Sequence, residues 1–373
     1  MVSEVFPPAV GGSGALLENI YRRIEDRKVR VVADPGPPGT PRYQGPLHVT
    51  YASMKAPDWG VLRPASLGRH IRLSRTLRSA LATEPADIHC ARALPEGLSA
   101  ALALRGRGRY LCWLHGEELG FASTSRELSF LARRVYAGAA AVFANSQNSK
   151  TLLVRDWQVP AEKIHVVYPG VDSARFRPGL DRSRFRGGVA GPDEVVFLSV
   201  GRLQRRKGHD LVLKALAELR RSTPAIRYVI VGDGPHRQQL ESDTAALGLG
   251  DIVRFAGEAR DEDLPSWYAA ADVFVLPNRS DGVDFEGFGI VFLEAAAAGL
   301  PVIGGRSGGV PEAVAEGTTG LLVSGEDASE LARAMGHYAT SRDARRQSGE
   351  QGRARAVSDF SWGTSVARVL RST

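Results

Sequence analysis

Two glutamates eight positions apart, Glu286 and Glu294, flank a glycine-rich turn that leads into an apolar, alanine-rich segment. The pattern predicts a helix whose first amides, around Phe288 to Val291, have no partner inside the helix and carry partial positive charge. Such a helix end can hold a diphosphate, and the two carboxylates could accept hydrogen bonds from sugar and ribose hydroxyls. Taken alone, the spacing would equally fit an acidic cap followed by an exposed helical glutamate.

A second loop, from Gly201 to Gly208, carries three arginines and a lysine between a predicted strand and a predicted helix. Arg202 could contact a phosphate through two N–H groups, and Lys207 could act on it as a point charge. A solvated charge run is the usual alternative for such a cluster. The flanking glycines and the position after a buried strand favour a phosphate site.

Two further loops lie in the N-terminal half. His115 follows the apolar run Tyr110–Leu114 and stands beside a glycine, so it could bond a sugar hydroxyl or a diphosphate. A histidine capped by the adjacent Glu117 and Glu118 is the alternative. The stretch Gly11-Gly12-Ser13-Gly14 could let a ligand approach the backbone, although it also fits a plain strand-to-helix turn.

A metal site is not predicted. His115 and its neighbouring glutamates lack a recognised ligand spacing. Asp281 and Asp284 could bind magnesium, but they belong to no recognised metal motif, and cationic side chains are available to neutralise phosphate.

The elements that must position these loops alternate between short β-branched runs and longer amphipathic segments. This alternation is typical of parallel sheets with helices on both faces, and ligands bind at the carboxyl ends of such strands. We predict two doubly wound, Rossmann-like α/β domains facing a cleft. The predicted boundaries are residues 1–175, a linker at 176–192, residues 193–357, and a terminal helix at 358–373 that returns to the N-terminal domain.

The predicted strands cover the following segments. In the first half they are a very short N-terminal strand before Pro7, then 28–33, 47–51, 87–91, 110–114, 141–144 and 163–167; in the second half they are 194–200, 227–231, 252–255, 273–276, 302–304 and 320–323. Helices are predicted at about 15–24 and 209–221, with a long polar helical region at 329–358 and a short helix after Trp362.

Composition indicates a globular protein, with 43% hydrophobic and 24% charged residues among 373. The sequence contains no apolar run long enough to span a bilayer and no secretory signal, and its two cysteines fit a reducing compartment. We therefore expect a cytoplasmic location. Residues 1–175 carry 23 Lys and Arg against 15 Asp and Glu, which places the whole positive excess in the N-terminal half. That half is expected to face something anionic, and the absence of any nucleic-acid-binding motif argues against DNA or RNA.

The basic segment from Arg63 to Arg78 carries five arginines and no acidic residue. Its apolar residues recur only roughly at helical spacing. Peripheral contact with the anionic inner face of a membrane is one interpretation, and a solvated basic helix is the other.

Taken together, the motifs resemble those of the GT-B glycosyltransferases of family 4, and they occur in the family's order. They are the N-terminal glycine loop, His115-Gly116-Glu117-Glu118, Asn145-Ser146, Pro169-Gly170-Val171-Asp172, Gly201-Arg202 with Lys207-Gly208, Val231-Gly232-Asp233-Gly234-Pro235, Glu286 to Glu294, and Ser307 to Glu312.

The resemblance assigns roles to individual residues. It implies that Arg202 and Lys207 bind the donor diphosphate, that Glu286 contacts the donor sugar and that Glu294 binds the ribose. The other implied donor contacts are the amides of Phe288, Gly289 and Ile290, the segment at Ala259 and Arg260 beside the base, Gly12 near the phosphates, and the motif residues Asn145 and Gly234. His115 is expected to reach the transferred sugar across the cleft.

The resemblance also implies the reaction: a retaining transfer of a hexose from a nucleotide sugar, without a required metal, to a lipid, saccharide or small-molecule acceptor. GDP-mannose is favoured, with UDP-glucose and UDP-N-acetylglucosamine as rivals. The alternatives are a sugar-nucleotide-binding scaffold without activity and a GT-B epimerase or phosphorylase, although neither set of residues that those enzymes need is identifiable.

Overall fold

The structure, a computed structural model, describes residues 1–9, 11–54, 64–223 and 225–373. These residues form two α/β units, one made of Met1–Pro169 with Trp362–Thr373 and the other of Gly170–Ser361. Each unit is built on one parallel sheet, as the sequence predicts.

The first unit contains a seven-stranded sheet in the order β3-β2-β1-β4-β5-β6-β7, with every pair parallel. Its strands are β1 Val2–Ser3, β2 Arg30–Ala33, β3 His48–Tyr51, β4 Ile88–Cys90, β5 Tyr110–Leu114, β6 Ala141–Ala144 and β7 Ile164–Val166. The helices between them are α1 Gly12–Tyr21, α2 Pro64–Thr83, α3 Leu98–Leu104, α4 Glu117–Ser123, α5 Arg126–Gly138 and α6 Gln147–Arg155.

The second unit contains a six-stranded sheet in the order β10-β9-β8-β11-β12-β13, again parallel throughout. Its strands are β8 Val195–Val200, β9 Ile226–Val231, β10 Val253–Gly257, β11 Val273–Leu276, β12 Val302–Gly305 and β13 Gly320–Val323. Its helices are α7 Ser183–Arg186, α8 His209–Leu219, α9 Arg237–Ala246, α10 Leu264–Ala270, α11 Ile290–Ala297, α12 Val310–Ala313, α13 Ala328–Thr340 and α14 Arg342–Asp359.

The strands lie within two residues of the predicted bounds, and the very short β1 is an interior strand of its sheet. Val2 pairs with Val32 on one side and with Cys90 on the other, so this strand is central although it has only two residues. Helix α1 begins earlier than predicted, at Gly12, and ends at Tyr21. The glycine stretch therefore supplies the first turn of the helix.

The polar region predicted as one long helix is two helices, α13 and α14, which meet at Ser341. The backbone of Ser341 is extended, with φ −114° and ψ 105°, and its side chain accepts a hydrogen bond from the amide of Ala344. Serine in that conformation is a favoured N-cap, because its oxygen satisfies an amide that the new helix leaves open. The Ser341 cap therefore separates the two helices. No glycine or proline stands at this position to predict the break from sequence.

The segment 176–192, predicted as a linker, packs on the second unit through α7. Phe185 stacks on Trp267 with ring centroids 4.1 Å apart and planes at 8°. The Arg186 guanidinium lies 2.7 Å from the Asp272 carboxylate. An aromatic stack and a partly buried ion pair hold this segment to the body of the unit.

The last helix, α15 Trp362–Arg371, belongs to the first unit. It packs along α1, and the guanidinium of Arg23, two residues after α1, lies over the Trp362 ring. The Ser365 hydroxyl donates to the carbonyl of Tyr168 over 2.7 Å. The first unit is therefore assembled from two distant stretches of the chain.

Candidate active site

Three nitrogen donors converge on one oxygen of Glu286. The Oε2 atom accepts from Lys207 Nζ at 2.5 Å, from Arg206 Nη1 at 2.8 Å and from Asn278 Nδ2 at 2.9 Å. Its other oxygen, Oε1, accepts no hydrogen bond from the described residues. One carboxylate oxygen is thus fixed by the protein, and the other is left for a ligand.

Glycines bring these groups together. Gly208 has φ +76°, and a Cβ on it would lie 2.2 Å from the carbonyl oxygen of Pro277, so the basic turn fits closely against the residue after β11. On the other side, the amide of Gly309 donates to the carbonyl of Glu286 over 2.9 Å. A Cβ on Gly309 would lie 2.1 Å from the carbonyl oxygen of Gly287. Backbone contacts therefore fix the Glu286 loop from both sides.

The charges of the cluster keep Glu286 ionised. Burial by itself would raise the pKa of this carboxyl, but the neighbouring Lys207 and Arg206 outweigh burial and hold its pKa below the usual value. The side chains of Lys207, Arg206 and Glu286 are 10%, 5% and 12% exposed. The result is a compact, nearly dry cluster in which two cations meet one oxygen of Glu286, and the partly exposed Asp284 carboxylate also pairs with Arg206.

Glu294 lies in the second turn of α11 and is governed by different neighbours. Its Oε2 accepts from the hydroxyl of Tyr268 at 2.8 Å, while Oε1 has no partner within the described ranges. Burial raises the pKa of Glu294 to about 7, partly offset by the Tyr268 hydrogen bond and the charge of Arg175. Because the folded chain ionises this carboxyl less readily than the unfolded chain does, ionisation costs stability as pH rises from about 4.5 towards about 7.

The start of α11 offers backbone donors between the two glutamates. Gly289 adopts a left-handed conformation at the N-cap, with φ +88°, and the helix begins at Ile290. Neither the Gly289 amide nor the Ile290 amide has an acceptor in the described part of the chain. The Phe288 ring is buried and lies 5.7 Å from the ring of Phe360, so its side chain serves packing.

Arg202 follows β8 on an exposed stretch of the same unit. It makes no ion pair or hydrogen bond with any described residue. The backbone before it is closely packed. Gly201 has φ +146°, and its carbonyl oxygen approaches Gly232 so closely that a Cβ on Gly232 would lie 2.0 Å from it. Arg202 thus has a rigid base and a side chain available for a phosphate.

Arg206 was not singled out by sequence reasoning, yet it is the most buried cation of the cluster. It pairs with Asp284 at 3.0 Å as well as with Glu286, whereas the neighbouring Arg205 is exposed and pairs with Asp281 at 3.0 Å. Both aspartates considered as magnesium ligands are therefore paired with arginines. In this 3-10 turn Arg205 is exposed while Arg206 and Lys207 are buried, and residue types alone do not reveal which arginine is inside.

The remaining residues predicted at the donor site of this unit lie on the loops after β9 and β10. A Cβ on Gly234 would lie 2.5 Å from the carbonyl oxygen of Leu203, so that glycine permits two loops to touch. Ala259 is half-buried and Arg260 is exposed, with its guanidinium held by Glu262 at 2.8 Å and Asp263 at 2.9 Å. The side chain of Arg260 is thus employed locally, and its carbonyl accepts a hydrogen bond from the Asp263 amide over 2.9 Å.

In the first unit, His115 is a neutral imidazole held in one tautomer. Its Nε2 lies 3.1 Å from the carbonyl oxygen of Ala91, which can only accept, so Nε2 carries the proton and Nδ1 has a free lone pair. Burial and the charge of Arg92 lower the pKa of His115 to about 3. Glu118 accepts from the backbone amide of His115 at 2.7 Å, which is a contact to the backbone and not to the imidazole.

Asn145 makes hydrogen bonds within the first unit, whereas no packing contact among the described residues explains Gly12. Both ends of the Asn145 amide are used, since Nδ2 donates to the His115 carbonyl and Oδ1 accepts from Ser149, each over 2.9 Å. A Cβ on Gly12 would meet no described atom within 4 Å, whereas one on Gly14 would lie 2.8 Å from the carbonyl oxygen of Val5. Packing explains Gly14 and leaves Gly12 unexplained.

Family models match both halves of the chain. The model described as Glycosyltransferase Family 4 matches residues 10–175, and the model described as Glycosyl transferases group 1 matches residues 182–355. Together these matches span most of both units.

Curated relatives point the same way. A GDP-mannose-dependent alpha-(1-6)-phosphatidylinositol monomannoside mannosyltransferase of Mycolicibacterium smegmatis is 36% identical over 283 residues, which is 74% of this chain and 73% of the relative. A D-inositol 3-phosphate glycosyltransferase of Streptomyces scabiei is 37% identical over 244 residues, which is 63% of this chain and 53% of the relative.

Solved structures share the fold. Anabaena HepE, crystallised in complex with UDP and glucose, superposes with a TM-score of 0.82 at 23% identity, covering 100% of this chain and 98% of that one. Sucrose-phosphate synthase from Thermosynechococcus elongatus gives 0.81 at 24% identity, covering 99% and 97%.

Proposed function

This chain belongs to glycosyltransferase family 4 and has two Rossmann-like domains of the GT-B type; on that premise we propose that it transfers mannose from GDP-mannose, with retention of configuration, to an acceptor that carries an inositol phosphate. It is a hexosyltransferase that uses a nucleotide-sugar donor. The relative named for GDP-mannose supports the choice of donor. The two relatives whose names contain phosphatidylinositol and inositol 3-phosphate support the choice of acceptor.

The single observation that carries the proposal is the arrangement at Glu286. A carboxylate with one fixed and one open oxygen, two buried cations and the open amides at the start of α11 occur together at the carboxyl edge of one sheet. These groups match the hydroxyls and the diphosphate of a nucleotide sugar. We assign the diphosphate to Arg202, Lys207 and the helix end, and the donor sugar to Glu286.

The chemistry requires stabilisation of two opposite charges. As the sugar–oxygen bond breaks, the sugar becomes cationic and the nucleoside diphosphate gains negative charge. Lys207 and Arg202 stabilise the departing anion electrostatically, in the role that a divalent metal fills in other transferases. A departing phosphate oxygen takes the proton of the acceptor hydroxyl, which attacks from the same face. His115 Nδ1 accepts a hydrogen bond from a hydroxyl of the transferred sugar.

The functional test is a panel of nucleotides and acceptors. Thermal shifts with GDP, UDP, GDP-mannose and UDP-glucose should be largest for the guanine nucleotides, since a ligand at about a hundredfold over its Kd stabilises by roughly 2.7 kcal/mol. GDP-mannose with inositol 3-phosphate or phosphatidylinositol should yield an α-mannoside, at a rate that EDTA leaves unchanged. Larger shifts with the uracil nucleotides would overturn the donor assignment. Nucleotide binding without either transfer or slow donor hydrolysis would indicate a scaffold instead of an enzyme.

Gly12 provides a test in the first unit. Because the space above its Cα is open and its backbone is compatible with alanine, Gly12→Ala should leave the melting temperature unchanged or slightly raised. If the donor phosphates approach this glycine, the same change should raise KM for the donor about tenfold or more. Gly14→Ala is the matched control, because its Cβ would press on the Val5 carbonyl and should cost about 1–3 kcal/mol of stability. A donor KM unchanged in Gly12→Ala would remove the glycine from the site.

We also propose that α2 meets an anionic membrane. Leu67 and Ile71 are 47% and 41% exposed on this helix, beside the exposed Arg72 and Arg75, and Arg63 of the basic segment lies outside the described residues. Helix α5 of the same unit exposes 63% of Phe130. Among the described helices none is long and apolar enough to cross a bilayer. Apolar side chains flanked by arginines suit a surface of anionic lipid.

Liposome co-sedimentation tests this contact. Vesicles with anionic lipid should retain the protein, and Arg72→Gln with Arg75→Gln should weaken retention about tenfold or more, at roughly 1 kcal/mol per arginine. Arg342→Gln with Arg346→Gln removes the same charge from exposed positions on α14 and should change little. Equal binding to neutral and anionic vesicles would contradict the proposal.

A further inference from the structure

The hydroxyl of Tyr268 is the one hydrogen-bond donor that reaches Glu294 among the described residues. It lies 2.8 Å from Oε2, whereas the next acceptor, the carbonyl of Val291, is 3.5 Å away. A hydroxyl has a single proton, so the shorter contact takes it. Burial and the charge of Glu294 raise the pKa of Tyr268 well above its usual value, which keeps the hydroxyl a donor.

Aromatic packing holds Tyr268 in place. The residue is fully buried in α10, and its ring meets Phe176 edge-on with centroids 5.5 Å apart and planes at 88°. On its other side Phe274 lies 5.9 Å away, and Phe274 in turn meets Phe292 at 5.6 Å and 87°. Phe292 belongs to α11, the helix of Glu294. One continuous aromatic cluster therefore holds both the helix of the Tyr268 hydroxyl and the helix of the Glu294 carboxylate in place.

We propose that Tyr268 is a positioning residue for the ribose contact: its hydroxyl fixes Oε2 of Glu294 so that Oε1 is presented to the ribose hydroxyls of the donor nucleotide. The inference rests on the proposed function, and it takes from the family resemblance the contact between Glu294 and the donor ribose. An unrestrained glutamate loses side-chain conformational entropy when it binds a ligand. A glutamate already held by a hydrogen bond loses less of that entropy, so it binds more tightly.

The same hydrogen bond bears on pH. Arg175, whose guanidinium pairs with Asp261 at 2.8 Å, favours the ionised form of Glu294, and Asp261 disfavours it. Within the part of the chain that the structure describes, those two side chains and Tyr268 are the charged and titratable groups that act on Glu294. Tyr268 bonds the ionised carboxylate, so its loss should move the ionisation of Glu294 to higher pH.

The test is the Kd of GDP and of UDP, measured by calorimetry from pH 5.5 to 8.5, for the wild type, Tyr268→Phe, Glu294→Gln and Tyr338→Phe. The terminal phosphate of the nucleotide titrates near pH 6, so each Kd is divided by that of Glu294→Gln at the same pH. For the wild type this ratio of Kd values should fall as pH rises through about 7, because the ionised Glu294 binds the ribose hydroxyls more tightly. Tyr268→Phe should weaken binding about tenfold at pH 7, shift the midpoint upward and leave kcat at saturating donor within about twofold, as expected for a hydrogen bond to a charged group.

Tyr338→Phe is the matched control, because Tyr338 is an equally buried tyrosine of the same unit whose hydroxyl donates to Ser348 at 3.1 Å. It should alter thermal stability without altering Kd or its midpoint. A Tyr268→Phe protein with the wild-type midpoint, or a Kd change shared by Tyr338→Phe, would overturn the inference. If Glu294→Gln itself binds nucleotide like the wild type, the ribose assignment fails instead, which separates the two ideas.

Discussion

Lys207→Ala is expected to lower kcat by about a hundred- to a thousandfold, the usual cost of removing one preorganised group that stabilises developing negative charge. The charge on the leaving diphosphate grows as the sugar bond breaks, so the loss should fall on kcat more than on KM. Glu286 retains Arg206 and Asn278 as partners in this variant, so the loop should stay folded. Steady-state kinetics with a thermal melt measures both effects.

Lys214→Ala is the control for that experiment, because Lys214 is an exposed lysine on α8, seven residues further along the chain. It should change neither kcat nor stability noticeably. A Lys207→Ala enzyme within about fivefold of the wild-type kcat would show that Lys207 serves the Glu286 cluster alone, and the leaving-group role would have to pass to Arg202 and the helix end.

Glu286→Gln should both destabilise the second unit and stop turnover. Removing one partner from a buried set of charges leaves the others uncompensated, at a cost of about 3–5 kcal/mol. Arg206 and Lys207 would lose the anion they share, and the donor sugar would lose its carboxylate contact. A melt should show the unit unfolding at a clearly lower temperature, and kcat should fall at least as far as in Lys207→Ala.

The pH dependence of this loss has a defined sign. The pKa of Glu286 lies below its usual value in the folded chain, so its contribution is present above about pH 4.5 and disappears as pH falls through the folded pKa. The wild type and Glu286→Gln should therefore converge in stability at low pH. Glu316→Gln, which breaks an exposed pair with Arg306, should cost under about 1 kcal/mol at any pH. Equal losses in the two variants would contradict the buried-cluster interpretation.

Much of the fold could be predicted because strands buried on both faces read as continuous apolar runs. All six residues of β8 are buried, and the sequence shows them as Val-Val-Phe-Leu-Ser-Val. The motifs then fix which strand ends carry polar residues. The two glutamates could be predicted from local sequence as well. Glu286 precedes α11 and Glu294 lies inside it, so the glycine-rich turn between them marks the start of the helix.

What the sequence could not show depends on contacts between distant residues. Tyr268 and Glu294 are 26 positions apart and meet only because α10 and α11 pack together. Arg206 is buried because Asp284 and Glu286, some eighty residues later, close over it. Residue type and spacing identify groups that can do chemistry, whereas their partners follow from tertiary packing.

The return of α15 to the first unit has a consequence for how the protein is made. A ribosome releases the chain from its beginning, so the sheet of the first unit emerges early, while the helix that covers α1 emerges after all of Gly170–Ser361. Until then the apolar face that receives Trp362, Val366 and Val369 has no cover. Gly170–Ser361 is continuous, so the unit translated second is the first that can be completed, and the unit translated first must wait for the last helix.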